Sequence, residues 1–182
     1  MRYSALCCTV LLACGGSRSA VDAVPASTSH TVRVGVPGGT LTLPLAEEST
    51  LGTISVGVPL QRAWEVLPAV YSMLGIPPAN ILASEHMVAN PEARVRRTIG
   101  GRRASLFLDC GSQLGERNAD TYTIDLVVQT RLKAADAEHT AVSTQIVATA
   151  RSASFAGNAV RCTSTGKLEE WIAEETEAQA RR

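Results

Sequence analysis

The chain has 182 residues, of which 17 are Lys or Arg and 17 are Asp or Glu, so its formal net charge is zero. A neutral chain lacks the basic excess that general nucleic-acid binding needs, and we expect no nucleic-acid partner. Hydrophobic residues make up 45% and charged residues 19%, which indicates a globular chain rather than a disordered one. The length is typical of a single domain.

The N-terminal sequence MRYSALCCTVLLA places one positive charge, Arg2, before an apolar stretch that is too short to span a bilayer. This order is typical of a signal peptide, which we assign to residues 1–13. The stretch ends in LLACG at residues 11–15, which resembles a bacterial lipobox. The resemblance implies that Cys14 is acylated and anchors the chain to a membrane. The alternative is an ordinary secretory signal that is cleaved nearby, with Cys14 unmodified.

Residue 15 is Gly rather than Asp. By resemblance to Gram-negative lipoproteins, this implies an anchor in the outer membrane, with the protein facing the periplasm or exported. Residues 14–31 are small and polar and show no periodicity, so we predict that the lipidated Cys14 is followed by a flexible tether. Residues 32–182 are then predicted to form one α+β domain.

The domain is predicted to begin with strands. Apolar residues alternate over 32–36 and 41–45 around the turn residues 37–39, which indicates a hairpin, and a third strand covers 54–58. A helix follows over 59–75, with an interior proline, Pro68, that we expect to kink it. Its apolar stripe has helical spacing and favours core packing over a binding face: Leu60, Trp64, Leu67, Tyr71 and Leu74.

Further strands make up most of the remaining chain. Residues 94–99 and 102–110 are predicted to pair around a Gly100-Gly101 turn, with Arg96 opposite Ser105. Strict alternation over 120–133 and again over 139–151 indicates strands with one buried face. A short extended segment covers 160–163. The last element is a helix from about residue 166, which we expect to fray beyond Glu174.

The order β-β-β-α-β-β-β-β-β-α predicts an α+β fold: a curved antiparallel sheet with an early amphipathic helix and a C-terminal helix packed on it. With the lipobox, VGVPLQRAWEVLPAVYSMLGIP at residues 56–77 and CTSTGKLEEWI at 162–172, this layout resembles the helix-grip group of START-like and Bet v 1-like domains. It is also similar to the domains of BamC-like outer-membrane lipoproteins, although this chain has room for one such domain. Helix-grip domains imply a cavity between the sheet and the terminal helix that often holds an apolar ligand.

The five cysteines divide by position. Cys7 and Cys8 lie in the predicted signal peptide, and Cys14 is the predicted lipidation site. Cys110 and Cys162 remain as an even pair in an oxidising compartment, which predicts a disulfide. The alternative is two buried free thiols. We expect no metal site, because neither cysteine has a second Cys or His at ligand spacing.

One charged segment stands out in the middle of the chain. RVRRTIGGRR at residues 94–103 holds five arginines and no acid, and guanidinium groups suit phosphate or carboxylate partners. If Gly100-Gly101 is the turn, Arg94, Arg96 and Arg103 share one face of the hairpin. We therefore assign an anion- or partner-binding site, for anionic lipid or an acidic envelope protein, to Arg94, Arg96, Arg97, Arg102 and Arg103. The alternative is a solvated hairpin whose charges oppose aggregation.

Catalytic patterns are not evident in the sequence. His30, His86 and His139 stand apart from any metal-binding spacing, and no nucleophile elbow or phosphate-binding loop occurs. We expect no cofactor and no catalytic residues. The sequence favours a non-enzymatic, membrane-anchored binding or scaffolding module in the cell envelope. The alternatives are a carrier of a small apolar ligand, or an enzyme of the same fold; the oligomeric state is left open.

Overall fold

The computed structural model describes residues 29–36, 39–46, 53–152 and 159–182, and for the first two ranges it describes the backbone only. The predicted signal peptide, the predicted lipidation site Cys14 and most of the predicted tether lie outside these residues. The described chain mixes helices and strands, and an antiparallel sheet with a C-terminal helix forms its centre. The predicted α+β class is therefore confirmed at this level.

The described strands are β1 (Ser29–Val36), β2 (Gly39–Ala46), β3 (Thr53–Val56), β4 (Asn80–Leu82), β5 (Met87–Arg96), β6 (Thr98–Ile99), β7 (Arg102–Arg103), β8 (Leu108–Asp109), β9 (Ser112–Gln113), β10 (Glu116–Arg117), β11 (Thr123–Ala134), β12 (Thr140–Arg151) and β13 (Val160–Ser164). The helices are α1 (Leu60–Met73), α2 (Asn118–Thr121) and α3 (Lys167–Ala180), with short 3₁₀ helices at Ala83–Glu85 and Ala104–Leu106.

The main sheet runs in the order β7-β6-β5-β11-β12-β13-β8, with β3 also paired to β12 and β4 to β5. Its pairs are antiparallel, and the sheet is open, with β7 at one edge and β8 at the other. The two longest strands, β11 and β12, pair from Thr123↔Arg151 to Ala134↔Thr140. Their alternating sequence fixes this register, because a slip of one residue would expose the buried face.

The inner face of the sheet is covered by α1 and α3, which also pack against each other. Every second residue of β11 is buried on this face: Ile124, Leu126, Val128, Thr130 and Leu132. Three members of the predicted α1 stripe, Leu67, Tyr71 and Leu74, are buried beneath the helix, whereas Leu60 and Trp64 are half-buried. The stripe therefore belongs to the core, as its spacing predicts.

Helix α3 differs from its prediction at the C-terminal end. Instead of fraying beyond Glu174, it continues to Ala180, because Thr176 and Ala180 are buried against the rest of the domain. The guanidinium group of Arg62 on α1 donates hydrogen bonds to the Ala180 carbonyl oxygen at 3.1 and 3.3 Å. This contact satisfies a carbonyl group that the end of a helix leaves without a partner.

The N-terminal hairpin is confirmed in the backbone, since β1 pairs with β2 from Ser29↔Ala46 to Val36↔Gly39. Strand β1 begins at Ser29, so it includes the last three residues of the predicted tether. Farther along the chain, β9 and β10 form a small hairpin that the sequence analysis missed. Together with α2, this hairpin connects the edge of the sheet at β8 back to its centre at β11.

The arginine hairpin is shorter than predicted. Ile99 pairs with Arg102 across the Gly100-Gly101 turn, as expected. The predicted pairing of Arg96 with Ser105 is wrong: the chain reverses at Arg97, whose φ is +65°, and Arg96 pairs with Thr98. After Arg103 the strand ends in a 3₁₀ helix, in which the amide and hydroxyl of Ser105 donate hydrogen bonds to the Asp120 carboxylate at 2.9 and 2.8 Å.

Candidate functional site

The outer face of the sheet carries a group of four arginines from three strands, β5, β12 and β13. Residues that are paired across neighbouring strands lie side by side on the same face. The first row crosses β5, β11 and β12 and consists of Arg96, Thr123 and Arg151. The second row lies two residues farther along β11, extends to β13, and consists of Arg94, Asp125, Thr149 and Arg161. We call Arg94, Arg96, Arg151 and Arg161, with Asp125 among them, the arginine face.

The arginine face points away from the helices because of the alternation along β11. Ile124 is buried on the inner face, and its neighbours across the strands, Val95 and Ala150, are buried as well. Thr123 and Asp125 stand on either side of Ile124 and therefore project outward, together with the arginines paired to them. All four arginines are exposed.

Asp125 is the acid at the centre of the arginine face. Its carboxylate accepts a hydrogen bond from Arg94 Nε at 2.9 Å and lies 3.6 Å from Arg151 Nε. The side chains of Arg94 and Arg151 remain 73% and 67% exposed in these pairs, so solvent screens the attraction and leaves both guanidinium groups accessible. Arg96 and Arg161 flank this cluster in the two rows. The arrangement can present several guanidinium forks to one anionic surface.

The structure separates the five arginines that the sequence singles out. Arg94 and Arg96 belong to the arginine face, and Arg103 extends the first row through its pairing with Thr98. Arg102 pairs with buried Ile99 instead, and its guanidinium lies over the indole of Trp171 on α3, 4.1 Å from the ring centroid. Arg102 is thus engaged in a cation–π contact on the helical side of the sheet.

The remaining arginine of that segment, Arg97, is exposed at the reversal of the chain. Two members of the arginine face, Arg151 and Arg161, were missed by the sequence analysis. The register of β11 and β12 would have placed Arg151, because it follows from the alternation and the turn between the strands. The position of Arg161 depends on the pairing of β13, for which the short segment 160–163 carries no distinctive pattern.

The two predicted disulfide cysteines are bonded in the structure. Cys162 lies on β13 and Cys110 directly follows β8, the neighbouring edge strand, and the two sulfur atoms form a disulfide. Both residues are buried and belong to the hydrophobic core. The bond therefore joins the last strand to the segment that leads into the β9–β10 hairpin.

The two histidines whose side chains are described, His86 and His139, make separate local contacts. His86 packs edge-on against Trp64, with ring centroids 5.5 Å apart, and His30 lies on β1, of which only the backbone is described. His139 Nδ1 lies 2.9 Å from the carboxylate of Asp136 in the exposed turn between β11 and β12. Within residues 53–152 and 159–182, no three His, Cys, Asp or Glu side chains are placed to hold a metal ion.

The pKa of Asp136 is lowered from its ordinary value, first by a hydrogen bond from the Glu138 amide and then by His139. Because the folded-state pKa is depressed, the stabilisation that this turn gains is present above the ordinary carboxyl pKa and is lost as the pH falls. The Asp136 side chain is largely exposed, so the effect on stability is small.

The described domain has two surface clefts. One open cleft of about 380 Å³ lies at the end of the sheet that holds Arg131 and His86. Another, of about 270 Å³, lies beside Trp171 and Arg102. Between α3 and the sheet, where a helix-grip domain would hold a ligand, the side chains of Leu168, Ile172 and Ala173 are completely buried.

Comparison with known protein families, with curated proteins and with solved structures finds no match to this chain. Among the described helices, none is both long enough and apolar enough to cross a bilayer.

Proposed function

We propose that this protein is a lipid-anchored, non-enzymatic binding module of the cell envelope whose arginine face contacts the anionic head groups of the membrane that holds its anchor. The observation that carries the proposal is the grouping of Arg94, Arg96, Arg151 and Arg161 on one open sheet face. The lipobox at residues 11–15 supports an anchor on Cys14, and the residue after it supports an outer-membrane location facing the periplasm.

The geometry of the arginine face suits a surface of phosphate groups. Neighbouring strands lie about 4.8 Å apart, so Arg96 and Arg151, which are separated by one strand, stand roughly 10 Å apart at their backbones. Each guanidinium group presents a planar fork of donors that matches phosphate oxygens. Basic residues close to an anionic bilayer contribute about 1 kcal/mol each to binding. A set of four can therefore hold a domain against such a surface without a deep pocket.

The charge on the opposite side of the domain favours the same orientation. Helix α3 carries five glutamates and one lysine between Lys167 and Ala180, and it covers the inner face of the sheet. An anionic surface would repel this helix and attract the arginine face. The domain would consequently rest with the open sheet toward the membrane and the helices away from it.

The predicted tether allows this contact. Fourteen residues, 15–28, separate Cys14 from the start of β1, and fully extended they reach about 50 Å. This reach exceeds the distance that a small domain needs to turn one face toward the bilayer. A tethered domain also meets the surface at high effective concentration, so each guanidinium contact need only be weak.

The test measures binding of residues 14–182, without the predicted signal peptide and with Cys14→Ser to prevent acylation, to vesicles of phosphatidylcholine with and without phosphatidylglycerol. We expect the parent chain to prefer the anionic vesicles. Replacing Arg96, Arg151 and Arg161 by Gln should reduce its partition coefficient on those vesicles by about ten- to hundredfold. The preference should also weaken as salt screens the charges.

A matched control removes three positive charges elsewhere, with Lys167→Gln, Arg181→Gln and Arg182→Gln on and after α3. We expect this variant to bind anionic vesicles as the parent chain does. Equal binding of the parent to both vesicle types, or an equal loss in the control, would overturn the head-group contact. With Cys14 intact and acylated, the protein should remain with vesicles of either composition, and its release from neutral vesicles would contradict the anchor.

A further inference from the structure

The hairpin of β9 and β10 carries an apolar side chain at its tip. Leu114 is 91% exposed, more than any other large hydrophobic residue of the described chain. Its φ is +52°, in the left-handed region, and the next residue, Gly115, has a φ of +83°. Two successive residues with positive φ form the tight hairpin turn that favours Asn-Gly. Here Leu stands at the position that Asn would occupy with less strain.

An exposed leucine in this conformation is unfavourable in two ways within the described domain. The left-handed backbone brings its Cβ close to the following carbonyl group, which glycine avoids and asparagine tolerates. The side chain also remains in water instead of packing against the core. Neither feature helps the turn to form, so a benefit from this leucine must come from something outside the hairpin.

The base of the hairpin is fixed to the domain. Cys110, just before it, is bonded to Cys162, and the side-chain amide of Asn118, just after it, donates a hydrogen bond to the Cys110 carbonyl oxygen at 2.9 Å. The backbone amide of Asn118 also donates a hydrogen bond, to the carbonyl oxygen of Gly111 at 3.0 Å. The disulfide and these hydrogen bonds therefore hold the base of the hairpin to the domain, while its tip stays exposed.

The hairpin extends from the end of the sheet that carries the first arginine row. The hydroxyl group of Tyr122 donates a hydrogen bond to the side chain of Gln113, next to Leu114. Tyr122 immediately precedes Thr123, which lies between Arg96 and Arg151 in that row. Gln113, the neighbour of Leu114 at the tip, therefore lies near the end of the sheet that carries the first arginine row.

We propose that Leu114 is a membrane wedge, which enters the acyl-chain region of the bilayer while the arginine face binds the head groups. The inference rests on the proposed function, because it takes the same anionic bilayer as its partner. A fluid bilayer is the occupant that fits a single protruding side chain, since a protein partner needs a far larger apolar patch to bind stably. The arginines supply the electrostatic attraction and Leu114 supplies apolar burial, which salt does not screen.

The principal test is Leu114→Asn in the same chain, residues 14–182 with Cys14→Ser. Asparagine suits the turn, so we expect the thermal unfolding temperature to stay the same or to rise. The partition coefficient on vesicles that contain phosphatidylglycerol should fall by about tenfold, because the leucine side chain no longer leaves water. Leu114→Gly, which has the freest backbone, should give the same loss.

A matched control changes an exposed apolar residue at the other end of the sheet. Ile81 is 54% exposed on β4, whose strand partners are Ala89, Val88 and Met87. Ile81→Asn should leave vesicle binding unchanged.

A second experiment measures how deeply residue 114 enters the bilayer. Leu114→Trp should add fluorescence that shifts to shorter wavelength on anionic vesicles and is quenched by lipids brominated on their acyl chains.

The outcomes separate this inference from the proposed function. If the parent chain prefers anionic vesicles but Leu114→Asn binds equally well, the wedge is overturned and the head-group contact stands. If the parent shows no preference, both are overturned. A change in oligomeric state on Leu114→Asn, with unchanged vesicle binding, would mean that a second copy of the chain covers the leucine and would also overturn the wedge.

Discussion

The two faces of the central sheet differ in what their side chains contact. On the inner face, Ile124 and Leu126 are buried under α1 and α3. On the outer face, the alternate residues of the same strand, Thr123 and Asp125, neighbour arginines that are exposed to solvent. Strand β11 therefore packs against the helices with half of its residues, and the other half lie on the outer face beside the arginines. Substitutions on the inner side should alter stability, and those on the outer side should alter binding.

The largest effect is expected where the arginine hairpin meets the helices. Gly100 donates its amide hydrogen to the Leu74 carbonyl oxygen at 2.8 Å, and a Cβ added there would lie 2.5 Å from the indole of Trp171. Its φ is +54°. Gly100→Ala should therefore lower the free energy of unfolding by about 2–3 kcal/mol, from backbone strain and overlap together. Chemical denaturation of the parent and the variant measures this difference.

Gly101 provides the matched control, because its φ is +78° and no atom lies within 4 Å of an added Cβ. Gly101→Ala should carry the backbone strain alone, about 1 kcal/mol. Equal losses at the two glycines would contradict the close packing of the hairpin turn beneath Trp171. The turn would then behave like the exposed outer face of the sheet, where tight packing does not determine stability.

A smaller loss of stability is expected from a buried hydroxyl cluster on the inner face. Tyr71 on α1 donates a hydrogen bond to the Val88 carbonyl oxygen at 3.2 Å, and its hydroxyl lies 2.9 Å from Thr130 Oγ1. Thr130 Oγ1 lies 2.9 Å from Thr144 Oγ1 on β12. Burial raises the pKa of Tyr71 well above its ordinary value, so the hydroxyl stays protonated. Tyr71→Phe should lower the free energy of unfolding by about 1–2 kcal/mol.

Tyr122→Phe is the control for Tyr71→Phe, since it removes a hydroxyl group that bonds to an exposed side chain, Gln113. We expect a change within about 0.5 kcal/mol, because water replaces the lost partner. If the two variants unfolded at the same denaturant concentration, the buried cluster would contribute nothing to holding α1 on the sheet.

The inner face was also the easier one to predict from the sequence. Helical spacing in α1 and strict alternation in β11 and β12 report burial directly, because each apolar residue follows the geometry of its own element. The hairpin turn at Gly100-Gly101 and the disulfide were likewise predicted from local or compositional signals. The end of β7 was missed, because the 3₁₀ helix that follows depends on bonds from Ser105 to Asp120, 15 residues away.

The arginine face shows why the outer surface was predicted less well. Arg94 and Arg96 lie within one conspicuous segment, but Arg151 and Arg161 come from strands that are distant in sequence. Their proximity follows from strand order and register, which no short motif encodes. Arg102 lies in the same conspicuous segment, yet it faces Trp171 because it pairs with buried Ile99. The segment therefore led to Arg102, which is not part of the arginine face, and gave no indication of Arg151 and Arg161, which are.

A small loss of stability, together with an increase in binding to anionic vesicles, is expected for Asp125→Asn. Asp125 pairs with Arg94 and Arg151, and all three side chains are substantially exposed, so the loss should be within about 0.5–1 kcal/mol. Removing the carboxylate frees both guanidinium groups for phosphate and raises the positive charge of the face. The preference for anionic vesicles should therefore increase about threefold to tenfold, which sedimentation with vesicles of both compositions measures.

Asp136→Asn makes the same change of charge in the turn between β11 and β12, beyond the opposite end of these strands from Arg96 and Arg151. If net charge alone controlled binding, Asp136→Asn and Asp125→Asn would increase vesicle binding equally. If the arginine face is the contact, only Asp125→Asn should do so, because the Debye length at physiological ionic strength is about 8 Å and screens a distant charge. Equal increases would thus show that the chain responds to an anionic bilayer without using one face.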